Sequence, residues 1–308
     1  MTDAAIRAVI DTDPGIDDAV AILYALASPA FDIVGLTTVA GNIGIETTTR
    51  NAGRILALAA RSDIPVVAGA SAPLSRTGFD SAEIHGDDGL GGVGFPEPLV
   101  PARGDAVTWL AEQLEAAPIG TLDILALGPL TNIALLLRDR PSAARRIRRL
   151  IVMGGAIHEP GNVGPRSEFN IAADPEAAEL VFSAGLPTVL IPLDVTRKVR
   201  ADRGYLDALR ARDTAAAAAS ANLIEAYFQS ASGGESRPLH DPCVMLFAEN
   251  PALFSTEDIR IAVDTGVGSD AGALLAGESG GPAVSVALGV DAPAALELLA
   301  ARLGVSAG

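Results

Sequence analysis

Residues 8–18 read Ala-Val-Ile-Asp-Thr-Asp-Pro-Gly-Ile-Asp-Asp. An apolar run at 8–10 ends in four carboxylates within eight residues, and a Gly then opens an apolar, Ala-rich stretch that continues to residue 27. This is the pattern of a buried strand, a tight turn and a helix. Side by side and unpaired, the carboxylates repel one another and raise one another's pKa values. No Lys or Arg lies between Arg7 and Arg50 to neutralise them. A cluster of this kind asks for a cation, and an all-oxygen donor set points to a hard ion such as Ca²⁺ or Mg²⁺.

Outward from this stretch, strand candidates at 8–12, 33–39, 65–68, 122–127, 150–153, 188–191 and 259–263 alternate with helix candidates. The helices are expected at 17–27, 46–60, 105–116, 132–138 and 174–182. The strands are continuous Val/Ile/Leu runs, so both faces are buried, and the sheet is expected to be mainly parallel with helices on each side. Strand–helix repetition with right-handed crossovers predicts a doubly wound α/β fold. No repeat or linker divides the chain, so residues 1–308 read as one domain. Three stretches break the rhythm: 71–103, 154–170 and 214–240. Long loops in such folds are usually binding segments, and the Ser/Gly-rich part of the third reads as a lid.

Composition narrows the partners. Apolar residues make up 49% of the 308 and charged residues 19%, enough for a large core. A formal charge of −16 argues against a nucleic-acid polymer or an anionic membrane. One cysteine excludes a disulfide framework, and neither a signal peptide nor a bilayer-spanning run is visible, so a cytoplasmic location is expected. Cys243, beside a Val-Met-Leu-Phe run, reads as a core thiol.

Ligands of open α/β sheets bind beyond the carboxyl ends of the strands. Asp13, Asp17 and Asp18 follow the first strand and Asn42 the second. Gly128-Pro129-Leu130-Thr131-Asn132 follows the strand at 122–127, and Met153, Asn162, Glu168 and Asn170 follow the next. First-turn carboxylates facing a helix dipole account for Asp17 and Asp18 but not for Asp11 and Asp13. Asp11 is the member best suited to structural support. His85, His158 and His240 all sit among Gly, Pro and Asp, and His240 stands next to Asp241 ahead of a new helix. Walker and dinucleotide-binding glycine patterns are absent.

Asp11-Thr12-Asp13-Pro14-Gly15-Ile16-Asp17-Asp18, Gly41-Asn42, Gly128 to Asn132, Met153-Gly154-Gly155, Glu168-Phe169-Asn170 and His240-Asp241-Pro242 together resemble the inosine–uridine-preferring nucleoside hydrolases, over nearly the whole chain. The resemblance implies an N-ribohydrolase that splits ribonucleosides into base and ribose, with a tightly held Ca²⁺. It implies carboxylate ligands from Asp13, Asp18 and Asp241 and a carbonyl ligand from Leu127. Asp17, Asn42, Asn162, Glu168 and Asn170 would grip the ribose over Met153. Asp13 would be the base toward a calcium-held water, and His240 the donor to the leaving base. The His85 and His240 pair resembles members of the inosine/uridine or pyrimidine type, and Tyr227 and Phe228 are candidates to cover the base. A homodimer or homotetramer is implied as well.

Two rivals stay open at this level. A haloacid-dehalogenase-type magnesium phosphohydrolase also places Asp-x-Asp after its first strand, with Asp11 as nucleophile and Asp13 as acid/base. A non-catalytic nucleoside or pentose binder on the same scaffold is the other.

Overall fold

The computed structural model describes residues 5–229, 236–277 and 281–305. Eleven strands are found among them: β1 (Ile6–Thr12), β2 (Phe31–Thr38), β3 (Val66–Ala68), β4 (Leu122–Ala126), β5 (Ile147–Met153), β6 (Thr188–Ile191), β7 (Arg200–Asp202), β8 (Ser236–Pro238), β9 (Phe254–Val263), β10 (Leu274–Ala276) and β11 (Ala283–Val290). Nine of these form one sheet in the order β10-β9-β11-β6-β5-β4-β1-β2-β3. The run from β3 to β11 is parallel, whereas β9 and β10 pair antiparallel at one edge. The doubly wound, mainly parallel sheet expected from the sequence is therefore present.

Its central strands are buried on both faces, as their unbroken apolar runs require: β4 is buried at every residue and β1 from Ala8 to Thr12. Two apolar cores flank the sheet. One gathers the helices Ile16–Ala27, Ala215–Gln229, Pro242–Glu249 and Ala292–Leu303. The other holds Ala106–Ala116, Thr131–Asp139 and Pro175–Ser183, with Trp109 inside it and away from the strand-end rim. The helix Ile16–Ala27 is buried from Ile16 to Ala25, which is why its sequence is apolar all round rather than striped.

The chain runs from β1 outward to β2 and β3, then returns to add β4, β5 and β6 on the other side. The order reverses between β1 and β4, and this switch point leaves a crevice at the carboxyl ends of the two strands. The loop 13–15 and the turn 127–130 face each other across it.

Three departures from expectation have a physical origin. β9 starts at Phe254 rather than 259 because its Ser-Thr-Glu-Asp half is solvent-exposed and carries no apolar run. The Gly- and Ser-interrupted β11 gave no strand signal, although it joins β9 to β6. β7 and β8 form a separate ribbon of three polar-flanked residues each. Of the expected Ser/Gly-rich lid, 230–235 lies outside the described residues, and the remainder begins β8. Among the described residues no helix is long and apolar enough to cross a membrane.

Candidate active site

A cavity of about 660 Å³ opens at this crevice, within the size range of small-molecule sites. Ten of the twelve site residues expected from the sequence line it: Asp17, Asn42, His85, Leu127, Met153, Asn162, Glu168, Asn170, His240 and Asp241. The other two, Asp13 and Asp18, are wholly buried against it. His158 is not brought to the cavity. Its backbone N–H donates to Asp194 instead.

The carboxylates are held by short bonds from the strand ends. Asp18 accepts from Thr12 Oγ1 at 2.6 Å, from the Gly15 N–H at 3.0 Å and from Asn42 Nδ2 at 3.0 Å. Asp13 Oδ2 accepts the Asn42 N–H at 2.7 Å, while Asp13 Oδ1 is buried without a protein partner. A Cβ at Gly41 or at Gly128 would collide with the Asp13 carboxylate, so both backbones close on it. Asp11 is fully buried, takes Thr37 Oγ1 at 2.6 Å and Asn132 Nδ2 at 2.8 Å, and does not reach the cavity. That removes it as a nucleophile, and with it the phosphohydrolase reading.

Oxygens of Asp17, Asp18 and Asp241 lie within 4.8 Å of one another. Among the described residues, none of the ion pairs involves these three, Asp11 or Asp13. Burial, then the charge of Asp18, lifts Asp17 to about 7 and holds Asp13 well above the usual carboxylate range. Burial, then Asp17, does the same to Asp241. Asp11 rises to about 6 through burial alone, against the pull of Thr37 and Asn132. Crowded, dry and uncompensated acids with an orphaned oxygen fit a hard divalent cation. The closest triad contains Asp17 where the sequence resemblance implied Asp13. The Asp13 charge nonetheless acts on Asp241, so all four carboxylates share one electrostatic site.

The amides are engaged with the protein. Asn170 Nδ2 donates to the Leu127 carbonyl at 2.6 Å and to Met153 O at 3.2 Å. The second lone pair of the Leu127 carbonyl remains available to a ligand. Glu168 accepts the N–H groups of Asn170 and Gly155 at 3.0 and 2.8 Å, yet burial still raises its pKa. Asn162 Oδ1 accepts the Phe169 N–H at 2.9 Å, pinning the loop 161–169.

Both cavity histidines are neutral at pH 7. His85 Nδ1 accepts the Ile16 N–H at 3.0 Å, so its ring proton sits on Nε2, and burial pushes its pKa down to about 4. His240 falls to about 3, through burial and then Arg197 and Arg200, and its Nδ1 lies 2.8 Å from Thr196 Oγ1. Tyr227 lines the cavity and stacks on His85 with centroids 6.3 Å apart, whereas Phe228 belongs to the core. Cys243 is a buried core thiol that donates to the Leu239 carbonyl.

The sequence placed Thr12 and Asn132 in its motifs without a role and did not single out Thr37, Ser81 or Thr196, all of which orient the functional groups, or Phe79, which stands edge-on to Phe169 at the cavity mouth. A Phe inside the Gly/Pro-rich loop 71–103 was the one available signal.

A family model described as inosine-uridine preferring nucleoside hydrolase matches residues 8–297. The pyrimidine-specific ribonucleoside hydrolase RihA of Citrobacter koseri is 41% identical over 266 residues, 85% of each chain. Its namesake in Salmonella typhimurium is 38% identical over 312 residues, covering 97% of this chain and 98% of that one. Among solved structures, the plant nucleoside hydrolase PpNRh1 superposes with a TM-score of 0.89 at 32% identity, over 99% of this chain and 100% of that one. A purine-preferring ribonucleoside hydrolase from Gardnerella vaginalis gives 0.89 and 32% over 97% and 98%. The chain belongs to the inosine–uridine-preferring nucleoside hydrolase family and is an enzyme that hydrolyses ribonucleosides.

Proposed function

We propose that the chain cleaves the N-glycosidic bond of pyrimidine or inosine/uridine-type ribonucleosides, with Ca²⁺ as its resident ion, Asp13 as base and His240 as donor to the leaving base. The observation that carries this reading is the unpaired carboxylate group of Asp17, Asp18, Asp241 and Asp13 at the switch point. Asp13, Asp18, Asp241 and the Leu127 carbonyl would hold the ion, with Asp17 alongside toward the ribose. When bound, a hard divalent ion anchors sugar hydroxyls and makes water more acidic.

The chain's own groups supply the rest. Asp13 Oδ2 is held by Asn42, which leaves Oδ1 as the oxygen able to take a proton from the attacking water. Glu168, with its oxygens fixed by backbone N–H groups that favour the carboxylate against the effect of burial, would stand beside the sugar, where oxocarbenium character develops. Asn170 fixes Met153 and Leu127 below it. His240 is neutral, so with Thr196 donating to Nδ1 its Nε2–H serves the departing base as a hydrogen-bond donor. The pyrimidine preference draws on relatives at 38–41% identity named pyrimidine-specific and on a cavity without Trp.

Ribose release from uridine, cytidine, inosine and adenosine tests the reading. Uridine is expected to lead and adenosine to trail. Saturable uridine binding with no ribose from any of the four would instead establish a non-catalytic binder. Replacing His240 with Ala should cost about 10²-fold or more on uridine and little on p-nitrophenyl riboside, whose leaving group needs no donor. Equal losses on both would remove its role.

A further inference from the structure

Asn42 is the hub of the carboxylate loop, and its side-chain orientation is dictated by what it touches. Its Nδ2 donates to Asp18 Oδ2 at 3.0 Å and to the Asp13 carbonyl at 3.2 Å, both of which only accept. Turning the amide over would set its oxygen against two acceptors. Asn42 Oδ1 therefore faces away from them, and the group there is the Ser81 hydroxyl at 2.9 Å, which must donate. The Ser81 backbone N–H also donates to the Asn42 carbonyl, at 3.1 Å. Ser81 is buried, although it belongs to the long loop between β3 and β4, most of whose neighbouring residues (75–80) are exposed.

The same residue starts the turn of helix Ala82–His85, its carbonyl accepting the N–H groups of Ile84 and His85. His85 in turn accepts the Ile16 N–H. The loop thus grips the carboxylate segment at two points, Asn42 and Ile16, and Ser81 joins them.

We propose that Ser81 is a positioning residue for the reaction: it locks the Asn42 amide so that Asp13 and Asp18 are presented to the cation and the water. The inference rests on the cation-bearing reading of the site given above. Ser81 lines the cavity, but its hydroxyl hydrogen is committed to Asn42 Oδ1, and the effect of that hydroxyl is transmitted through Asn42. Residues that orient metal-binding carboxylates from behind commonly change affinity or activity about 10- to 100-fold when removed.

The test is a double-mutant cycle of Ser81→Ala and Asn42→Ala, read by calorimetric Ca²⁺ affinity of the metal-stripped protein and by kcat and KM on uridine. Ser81→Ala is expected to weaken Ca²⁺ binding and to lower kcat, each about 10-fold or more, with KM changed less than kcat. In the Asn42→Ala background the same substitution should change neither quantity by more than about twofold. Full additivity of the two substitutions, or parental Ca²⁺ affinity and kcat in Ser81→Ala, would overturn the inference. A parental protein that binds no Ca²⁺ would instead overturn the metal-centre reading. In that case the kcat arm of the cycle still decides the role of Ser81.

Discussion

The two ends of β4 handle buried carboxylates in opposite ways. Asp123, near its start, is fully buried and is met by Arg148 at 2.5 Å and Arg149 at 2.7 Å. Four residues on, roughly 13 Å along the strand, Leu127 faces a group of equally buried aspartates that no ion pair of the described residues touches. At the first end the charge is balanced within the fold, so Asp123 is structural, and Arg148 is pushed to higher pKa by the same contact. At the second the imbalance shows as raised carboxylate pKa values and an orphaned Asp13 oxygen. Folding leaves the cost of crowding there uncompensated, and a bound cation is what offsets it.

The largest effect is expected from Asp13→Asn. It keeps the shape and an acceptor for the Asn42 N–H but removes the proposed base, and kcat should fall about 10²–10⁴-fold with nucleoside binding retained. Turnover within about tenfold of the parent would break the assignment.

A second effect is on stability. The Asp17 pKa is about 7 in the folded, metal-free protein against an ordinary 3.8, and Asp11 moves the same way. Because the folded values are the higher ones, their stabilising contribution is complete below about 3.8 and is lost as pH rises through about 7. Thermal unfolding of metal-stripped protein should therefore show Tm falling between pH 5 and 8, with Ca²⁺ raising Tm most at the upper end. A metal-free Tm that climbs through that window would contradict this.

At the opposite end, Asp123→Asn strands two guanidiniums that are each about one-third exposed. It should cost about 2 kcal/mol, a few degrees in Tm, and leave kcat within about twofold. A large kcat loss with little change in Tm would mean the two ends are not so divided.

Much of this was legible in the sequence. The strands at 8–12, 122–127 and 188–191 were found within one or two residues because burial on both faces demands an unbroken apolar run. The acids after β1 were legible because four carboxylates without a nearby cation have few structural explanations. What escaped depends on tertiary placement. Thr12, Thr37 and Ser81 are ordinary hydroxyls until the fold sets them 2.6–2.9 Å from Asp18, Asp11 and Asn42. Asn132 reads as a turn residue yet bonds Asp11 across the sheet end. β11 escaped because Ser and Gly interrupt its apolar pattern.

The unpaired rim of β1 and β4 is read as a metal-dependent ribonucleoside hydrolysis site. Its most direct test is ribose release from uridine by metal-stripped protein as Ca²⁺ is titrated back. Negligible release is expected without the ion and saturable recovery with it. Undiminished release by the stripped protein, or none at any Ca²⁺ concentration, would contradict it.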